Sequence, residues 1–306
     1  MSQDTRARSS RGRPGKYFDP VTLARIKNLT LLARHVVEGL MAGLHRSALH
    51  GLSVEFSEHR PYTPGDELRN IDWKLFARQD RYYVKEYEAE TNLRAFIFLD
   101  ASASMGYGSG DVTKLEYGSY IAASLAYLML LQRDMVGLVT MTGAGLRILP
   151  PRSHPNHLRT IIAELEGLKA EGKTDIRGAL EEVAGTLRRR GLFIIISDFI
   201  DDPEAMARGF KHLQHRRNDI MAFHVADREE IEFPFRKVTL FRDLEDGREV
   251  TTDPRSIRRE YRAAVEAHLK KMKALCRAHA ADYDLFTTDQ PLHRCLVRYL
   301  ARRGSS

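Results

Sequence analysis

The sequence has few cysteines and no long apolar run. Only two of its 306 residues are cysteine, Cys276 and Cys295, which excludes the disulfide frameworks that hold small secreted domains together. The longest uncharged stretch, Tyr117 to Leu131, falls short of the roughly 20 residues that a membrane-spanning helix needs. We therefore expect no membrane span, and we interpret this stretch as a helix buried inside the protein.

The beginning of the chain lacks the apolar core of a signal peptide. Together with the free thiols, this predicts a reducing, cytoplasmic location. The formal net charge is +7, and the first sixteen residues supply four of these units, because five basic residues face one acidic residue there. We expect residues 1–17 to form a disordered basic tail, although such tails can also contact nucleic acid or anionic lipid. The rest of the chain is only mildly basic, which argues against a specific nucleic-acid partner.

Familiar nucleotide and zinc motifs are incomplete or stand in the wrong context. The glycine-rich run at 106–110 lacks the third glycine at dinucleotide spacing. The run from Gly167 to Thr174, GLKAEGKT, matches GxxxxGK[ST], but it follows a predicted helix at 156–168, whereas a phosphate-binding loop of this kind follows a strand. His154 and His157, like His212 and His215, have the spacing of metal ligands, but no clustered cysteine or carboxylate completes either pair. We interpret these histidines as surface residues of helices.

From Leu93 onward the pattern alternates between strands and helices. Apolar runs predict strands at 93–99, 135–141, 146–149, 192–197, 219–225, 237–241 and 283–287. Helical periodicity predicts helices at 156–168, 176–190, 203–216, 255–280 and 291–302. A capping box, Thr113-x-x-Glu116, begins the buried helix. Repeated βα units predict an α/β fold with a doubly wound, mostly parallel sheet that is covered on both faces.

The chain before Leu93 has a different pattern. Apolar residues at helical spacing predict a helix over Val21 to Leu44, alternation predicts a strand at 52–57, and Tyr82 to Glu88 should be extended. We therefore divide the chain after the tail into an N-terminal α+β subdomain at 18–92 and a larger domain at 93–306, which ends in a C-terminal helix.

Oxygen-bearing side chains follow the two most apolar strands. Asp100, Ser102 and Ser104 come at the end of the first of these strands, and Asp198 follows the second. Thr174 lies in a polar loop before a helix. Because open parallel sheets bind ligands beyond the carboxyl ends of their strands, these oxygens suit a small hard cation such as Mg²⁺. Alternatively, the side chains cap only loops and helix starts.

This arrangement resembles the von Willebrand factor A domain and its metal-ion-dependent adhesion site. Asp100, Ser102 and Ser104 match its DxSxS element, Thr174 its separate threonine, and Asp198 its aspartate after the fourth strand. The resemblance implies that the three hydroxyls bind Mg²⁺ or Mn²⁺, with the two carboxylates acting directly or through water. Neutral ligands leave much of the ion's charge uncompensated, so an open coordination position would attract a partner's carboxylate.

The upstream segment narrows the resemblance to one family. The run from Arg60 to Arg78, RPYTPGDELRNIDWKLFAR, and the later YVKEYE at 83–88 are similar to the signature of the bacterial family called domain of unknown function fifty-eight. That family places the signature before a von Willebrand-like domain and is associated with MoxR-type AAA+ ATPases. The resemblance implies a non-enzymatic adaptor or co-chaperone that recognises the ATPase, or a client protein, through an acidic side chain.

A metal-dependent hydrolase that uses Asp100 and Asp198 is the alternative function. Ser102 stands where a hydrolase would need a second carboxylate, and these loops contain no evident histidine or glutamate general base. The sequence therefore favours protein recognition over catalysis.

Overall fold

The computed structural model describes residues 28–46, 59–61, 83–85, 93–186, 190–200 and 203–303. Before Leu93 it contains helix α1, Leu29–Arg46, and an antiparallel pair of short strands, β1, His59–Pro61, and β2, Tyr83–Lys85. β2 lies within the segment predicted to be extended. The predicted strand at 52–57, the first residues of the predicted helix and most of the family signature lie outside the described residues.

A six-stranded sheet forms the centre of the main domain. Its strands are β3, Arg94–Asp100, β4, Met135–Thr142, β5, Gly145–Arg152, β6, Leu192–Ser197, β7, Asp219–Ala226, and β10, Asp282–Thr287. The order is β10-β7-β6-β3-β4-β5, and every neighbouring pair is parallel except β4 with β5. The predicted α/β class with a mostly parallel sheet is confirmed.

The helices connect the strands and cover the sheet. They are α2, Lys114–Leu131, α3, His157–Glu166, α4, Ile176–Thr186, α5, Pro203–His215, α6, Arg228–Glu232, α7, Pro254–Ala278, and α8, His293–Arg303. A 3-10 helix spans Ala103–Gly106, and a separate hairpin contains β8, Thr239–Arg242, and β9, Glu249–Thr252. The sequence predicted neither α6 nor β9.

Two apolar cores lie on opposite faces of the sheet because side chains alternate along each strand. Ile97 and Leu99 of β3 belong to the core that contains α2, whereas Phe96 and Phe98 belong to the core that contains α4 and α5. The doubly covered sheet that the sequence predicted is therefore present.

Helix α1 shares the core of the main domain. Leu32, Val36 and Val37 are fully buried and belong to the same apolar cluster as α2. The subdomain boundary at 92/93 stays a prediction, but the helix before it packs on the helices after it.

Helix α2 is buried as predicted. Thr113 and Glu116 form the predicted capping box at its start. Most of the uncharged stretch is inaccessible to solvent, and Tyr117 is fully buried. Among the helices that the structure describes, none combines the length and apolar character needed to cross a membrane.

Candidate metal site

The candidate site is built around Asp100, the last residue of β3. Its Oδ1 accepts hydrogen bonds from the backbone N–H of Ser102 at 2.9 Å and from the hydroxyl of Thr174 at 3.0 Å. Its Oδ2 accepts a 2.6 Å hydrogen bond from the hydroxyl of Ser197, the last residue of β6. The carboxylate is buried, with 2% of the residue exposed. Asp100 thus organises three segments at the carboxyl edge of the sheet.

A close contact between two glycines helps to bring Thr174 to Asp100. Gly172 has a φ of +67°, and a Cβ on Gly143 would lie 2.8 Å from the Cα of Gly172. Backbone hydrogen bonds hold the same loop on both sides: the N–H of Gly143 donates to the carbonyl of Glu171 at 2.9 Å, and the N–H of Ala103, after β3, donates to the carbonyl of Gly172 at 2.8 Å. Glycine suits both positions, since one needs a left-handed conformation and both need close backbone approach.

The two predicted serines lie together beside Asp100. Their hydroxyl oxygens are 3.0 Å apart, with Ser102 buried and Ser104 half-buried. Ser104 lies in the 3-10 helix that follows β3, and this turn brings the two side chains to the same point. Four predicted residues, Asp100, Ser102, Ser104 and Thr174, therefore form one hydrogen-bonded group.

Asp198 has a partner that the sequence analysis did not identify. The ammonium Nζ of Lys114 lies 2.9 Å from Oδ2 of Asp198 and 2.7 Å from Oε1 of Glu230. Lys114 is only 1% exposed. We call these three residues the Lys114 triad. The sequence signal was available, because Lys114 directly follows the capping threonine of a helix that is otherwise almost free of charge.

The buried charges shift each other's protonation. Burial raises the pKa of Asp100 to about 6, and the negative charge of Asp198 adds to this shift, against the lowering effect of its hydrogen bonds. Burial lowers the pKa of Lys114, but the carboxylates of Asp198 and Glu230 outweigh it, so the pKa is raised overall. Lys114 therefore stays positively charged. A further cation at this position would stabilise the ionised form of the neighbouring carboxylates.

A second aspartate fixes the position of the Lys114 triad. Asp227, at the N-terminus of α6, accepts hydrogen bonds from the backbone N–H and hydroxyl of Ser109, at 3.0 and 2.6 Å, and from the hydroxyl of Thr288 at 3.0 Å. The backbone N–H of Asp227 donates to Glu230 at 2.8 Å in a capping box. Burial raises the pKa of Asp227, but the hydrogen bonds that it accepts from Ser109, from the backbone N–H of Glu229 and from Thr288 together outweigh burial, so the pKa is lowered overall. The Asp-x-x-Glu pattern could have predicted this turn.

The donors suit a small hard cation. Hydroxyl and carboxylate oxygens are the ligands that Mg²⁺ and Mn²⁺ prefer, and a hydroxyl that donates its proton to Asp100 keeps its lone pairs available, as Thr174 does. Within the described ranges, no group of three or more histidine, cysteine, aspartate or glutamate side chains could hold a metal. Hydroxyls must therefore supply most of the ligands if this site holds an ion.

A known family matches most of the chain. The family described as "Protein of unknown function DUF58" matches residues 58–271. The chain belongs to this family. A relative of this DUF58 protein, the uncharacterized protein Rv1480 of Mycobacterium tuberculosis, is 28% identical over 298 residues, which are 95% of this chain and 93% of the relative.

Two solved structures are similar to this DUF58 protein. An aerotolerance-related membrane protein from Bacteroides fragilis is 16% identical, with a TM-score of 0.50 over 70% of this chain and 98% of that protein. The VWA domain of SpRpn10 is 12% identical, with a TM-score of 0.41 over 67% of this chain and 94% of that domain. The α/β fold is therefore shared with the Bacteroides fragilis protein, in line with the von Willebrand factor A type that the sequence predicts.

Proposed function

We propose that this DUF58 protein recognises other proteins through Mg²⁺ or Mn²⁺ held by Asp100, Ser102, Ser104, Thr174 and Asp198. The observation that supports this most directly is the convergence of the first four residues in one hydrogen-bonded group at the carboxyl edge of the sheet. Protein recognition follows from the donor chemistry, because mostly neutral ligands leave an ion able to attract a carboxylate.

The protein's own residues prepare the site. Asp100 orients the hydroxyl of Thr174 and the backbone of Ser102. Ser197 donates to the other oxygen of Asp100 and accepts from the N–H of Phe199 at 2.9 Å, which fixes the turn after β6. A bound divalent ion would supply positive charge for a partner's carboxylate. Lys114 pairs with Asp198, so this carboxylate would be shared between the ammonium and an ion held at the site.

We propose further that the recognised protein is a MoxR-type AAA+ ATPase or its client, and that this protein acts as an adaptor or co-chaperone. This part of the proposal is supported by family membership, whereas the donor chemistry supports only an acidic partner.

The hydrolase alternative has less support from the site. Lys114 is held as an ammonium by two carboxylates and so cannot accept a proton. His224 is buried, and its Nδ1 lies 2.9 Å from the hydroxyl of Tyr283. Burial lowers the pKa of His224 to about 3, which makes its imidazole a weak base at neutral pH.

A matched pair of threonine variants tests the proposal. Thr174→Ala removes a proposed ligand, whereas Thr142→Ala removes a hydroxyl that donates to the carbonyl of Gly145, the first residue of β5. Isothermal titration should show that Thr174→Ala weakens Mg²⁺ and Mn²⁺ binding and that Thr142→Ala does not. Capture of a purified MoxR-type ATPase should follow the same order and be lost in EDTA.

Two results would contradict the proposal. Equal metal affinity in both variants would remove Thr174 from the site. Robust phosphatase or nuclease turnover with Mn²⁺ that disappears in Asp100→Ala would favour the hydrolase instead.

A further inference from the structure

A pocket of about 300 Å³ adjoins the candidate metal site, and Asp198 belongs to both. The volume is roughly twice that of the ~150 Å³ engineered cavity that binds benzene. An aromatic ring or a large aliphatic side chain would therefore fit. The remaining lining comes from the other members of the Lys114 triad, the end of β7, α6 and one face of α7.

The pocket exists because only part of α7 packs into the protein. Its buried residues are Pro254, Met272 and Cys276, and the latter two belong to the apolar core with α4 and α5. Tyr261, Val265 and Leu269, spaced four residues apart on one face, line the pocket instead. We call this space the α7 pocket.

The α7 pocket offers a ligand mainly apolar walls. Its ionic groups satisfy each other, since Lys114 bonds both Asp198 and Glu230. The rim includes Ile200, which is 59% exposed although it lies two residues after Asp198. An occupant that enters past Ile200 would bury apolar surface without breaking an ion pair, which is a favourable exchange.

The charge of α7 indicates which kind of protein segment would place a side chain in the α7 pocket. The helix contains eight lysines and arginines and only two glutamates. A basic helix beside the pocket favours an acidic partner segment, and the proposed metal site also requires a carboxylate. Both surfaces therefore fit the same partner.

We propose that the α7 pocket binds a large apolar side chain of an acidic protein segment, whose carboxylate binds the metal ion at the neighbouring site. The inference rests on the proposed function and extends it. Recognition would then combine two contacts: the ion fixes a carboxylate, and the pocket selects a leucine, phenylalanine or residue of similar size within a few positions of it.

Two neighbouring alanines of α7 provide the test. Both are exposed, but Ala264 lines the pocket and Ala263 does not. Ala264→Trp should obstruct the pocket, and Ala263→Trp places the same side chain outside it. Neither change replaces a proposed metal ligand, so isothermal titration with Mg²⁺ should give near wild-type affinity for both variants and verify that each is folded.

The probe is a library of short random peptides displayed on phage and selected on the immobilised full-length protein in Mg²⁺. Wild type and Ala263→Trp should enrich peptides with an aspartate or glutamate near a large apolar residue. Ala264→Trp should keep the acidic preference and lose the apolar one. Replacing the apolar residue of a selected peptide with alanine should weaken binding to wild type about tenfold or more and leave binding to Ala264→Trp unchanged.

The possible failures are distinguishable. Acidic peptides selected with no apolar preference, or with the same preference by Ala264→Trp, would overturn the pocket proposal and leave the metal-dependent recognition intact. Absence of any Mg²⁺-dependent selection of acidic peptides would overturn the proposed function and this inference with it.

Discussion

Lys114 is the residue that most changes the electrostatics of the site. Its buried ammonium pairs with two carboxylates, those of Asp198 and Glu230. The charge of Asp198 in turn acts on a third carboxylate, that of Asp100. A buried charge that loses its partner is costly, because neither water nor another ion replaces the contact. Stability and ion binding should therefore be linked through this side chain.

We expect Lys114→Met to destabilise the protein by about 3–5 kcal/mol in EDTA, since it leaves buried carboxylates unpaired. The same change should tighten Mg²⁺ binding about tenfold or more, because it removes a positive charge beside the ion. Urea unfolding and isothermal titration measure the two effects. Lys270→Met, which removes a 75% exposed ammonium, is the control and should change neither. Weaker Mg²⁺ binding in Lys114→Met would show that Lys114 helps to build the site instead.

Asp100 should make stability depend on pH. Its pKa is raised from 3.8 to about 6 in the folded protein, so the folded state binds a proton more tightly than the unfolded state. The resulting stability is fully present below pH 3.8 and is lost as the pH rises through 6, with a total of about 3 kcal/mol. Urea unfolding in EDTA should show this loss in wild type relative to Asp100→Asn. A difference that stays constant from pH 4 to 8 would contradict the assignment.

Some residues of the candidate site could be predicted from the sequence, and others could not. The DxSxS run, Thr174 and Asp198 were recognisable, because each stands next to a strong strand or helix signal. The contacts of Lys114 with Asp198 and Glu230 span 84 and 116 residues. Such pairs depend on how distant elements pack, which no local pattern contains.

At the scale of elements, the meeting of two loops positions the threonine. Gly172 needs a left-handed backbone and lies against Gly143, whereas Gly247 has a similar φ of +74° but no neighbour within 4 Å of a Cβ. A substitution at Gly247 therefore measures the cost of backbone strain alone, whereas one at Gly172 measures strain and a steric clash together.

We expect Gly172→Ala to destabilise the protein by about 2 kcal/mol or more, since left-handed strain of about 1–2 kcal/mol adds to the clash. It should also weaken Mg²⁺ binding, because displacement of the loop moves Thr174. Gly247→Ala should cost only the strain and leave the metal affinity unchanged. Thermal unfolding and isothermal titration compare the two variants. Wild-type metal affinity in Gly172→Ala would mean that the loop adapts without moving the threonine.

The two elements that the sequence did not predict, α6 and β9, show little periodicity in their apolar residues. All residues of β9 except Thr252 are exposed, so it lacks the alternation of apolar and polar residues that predicts a strand. Its hairpin is held by aromatic packing, with the rings of Phe233 and Phe241 stacked 5.6 Å apart. The short α6 has only five residues. In contrast, the buried strands and the long helices had strong patterns and were predicted to within a few residues. The predicted helix at 176–190 begins as predicted, and part of its predicted end lies outside the described residues.

At the scale of the whole molecule, the strand order explains the position of the site. From β3 the chain runs to β4 on one side, and from β5 it returns to β6 on the other side. Asp100 and Asp198 thus lie at the carboxyl ends of the two strands that flank this change of direction, where open α/β sheets bind ligands. The sequence predicted that the site lies at the carboxyl edge of the sheet. It did not predict the order of the strands, because the packing of the whole domain determines which strands are neighbours.

The last prediction concerns the complete protein and its partner. If a metal-bound carboxylate is the central contact, EDTA should abolish capture of a MoxR-type ATPase, and Asp198→Ala should weaken it. Raised salt should weaken capture less than EDTA does, because screening acts mainly on exposed charge pairs. Deletion of residues 1–16 is the control: it removes four units of positive charge and should leave the complex intact. Capture that survives EDTA and Asp198→Ala but is lost with those residues would identify the basic N-terminus, and not the ion, as the contact.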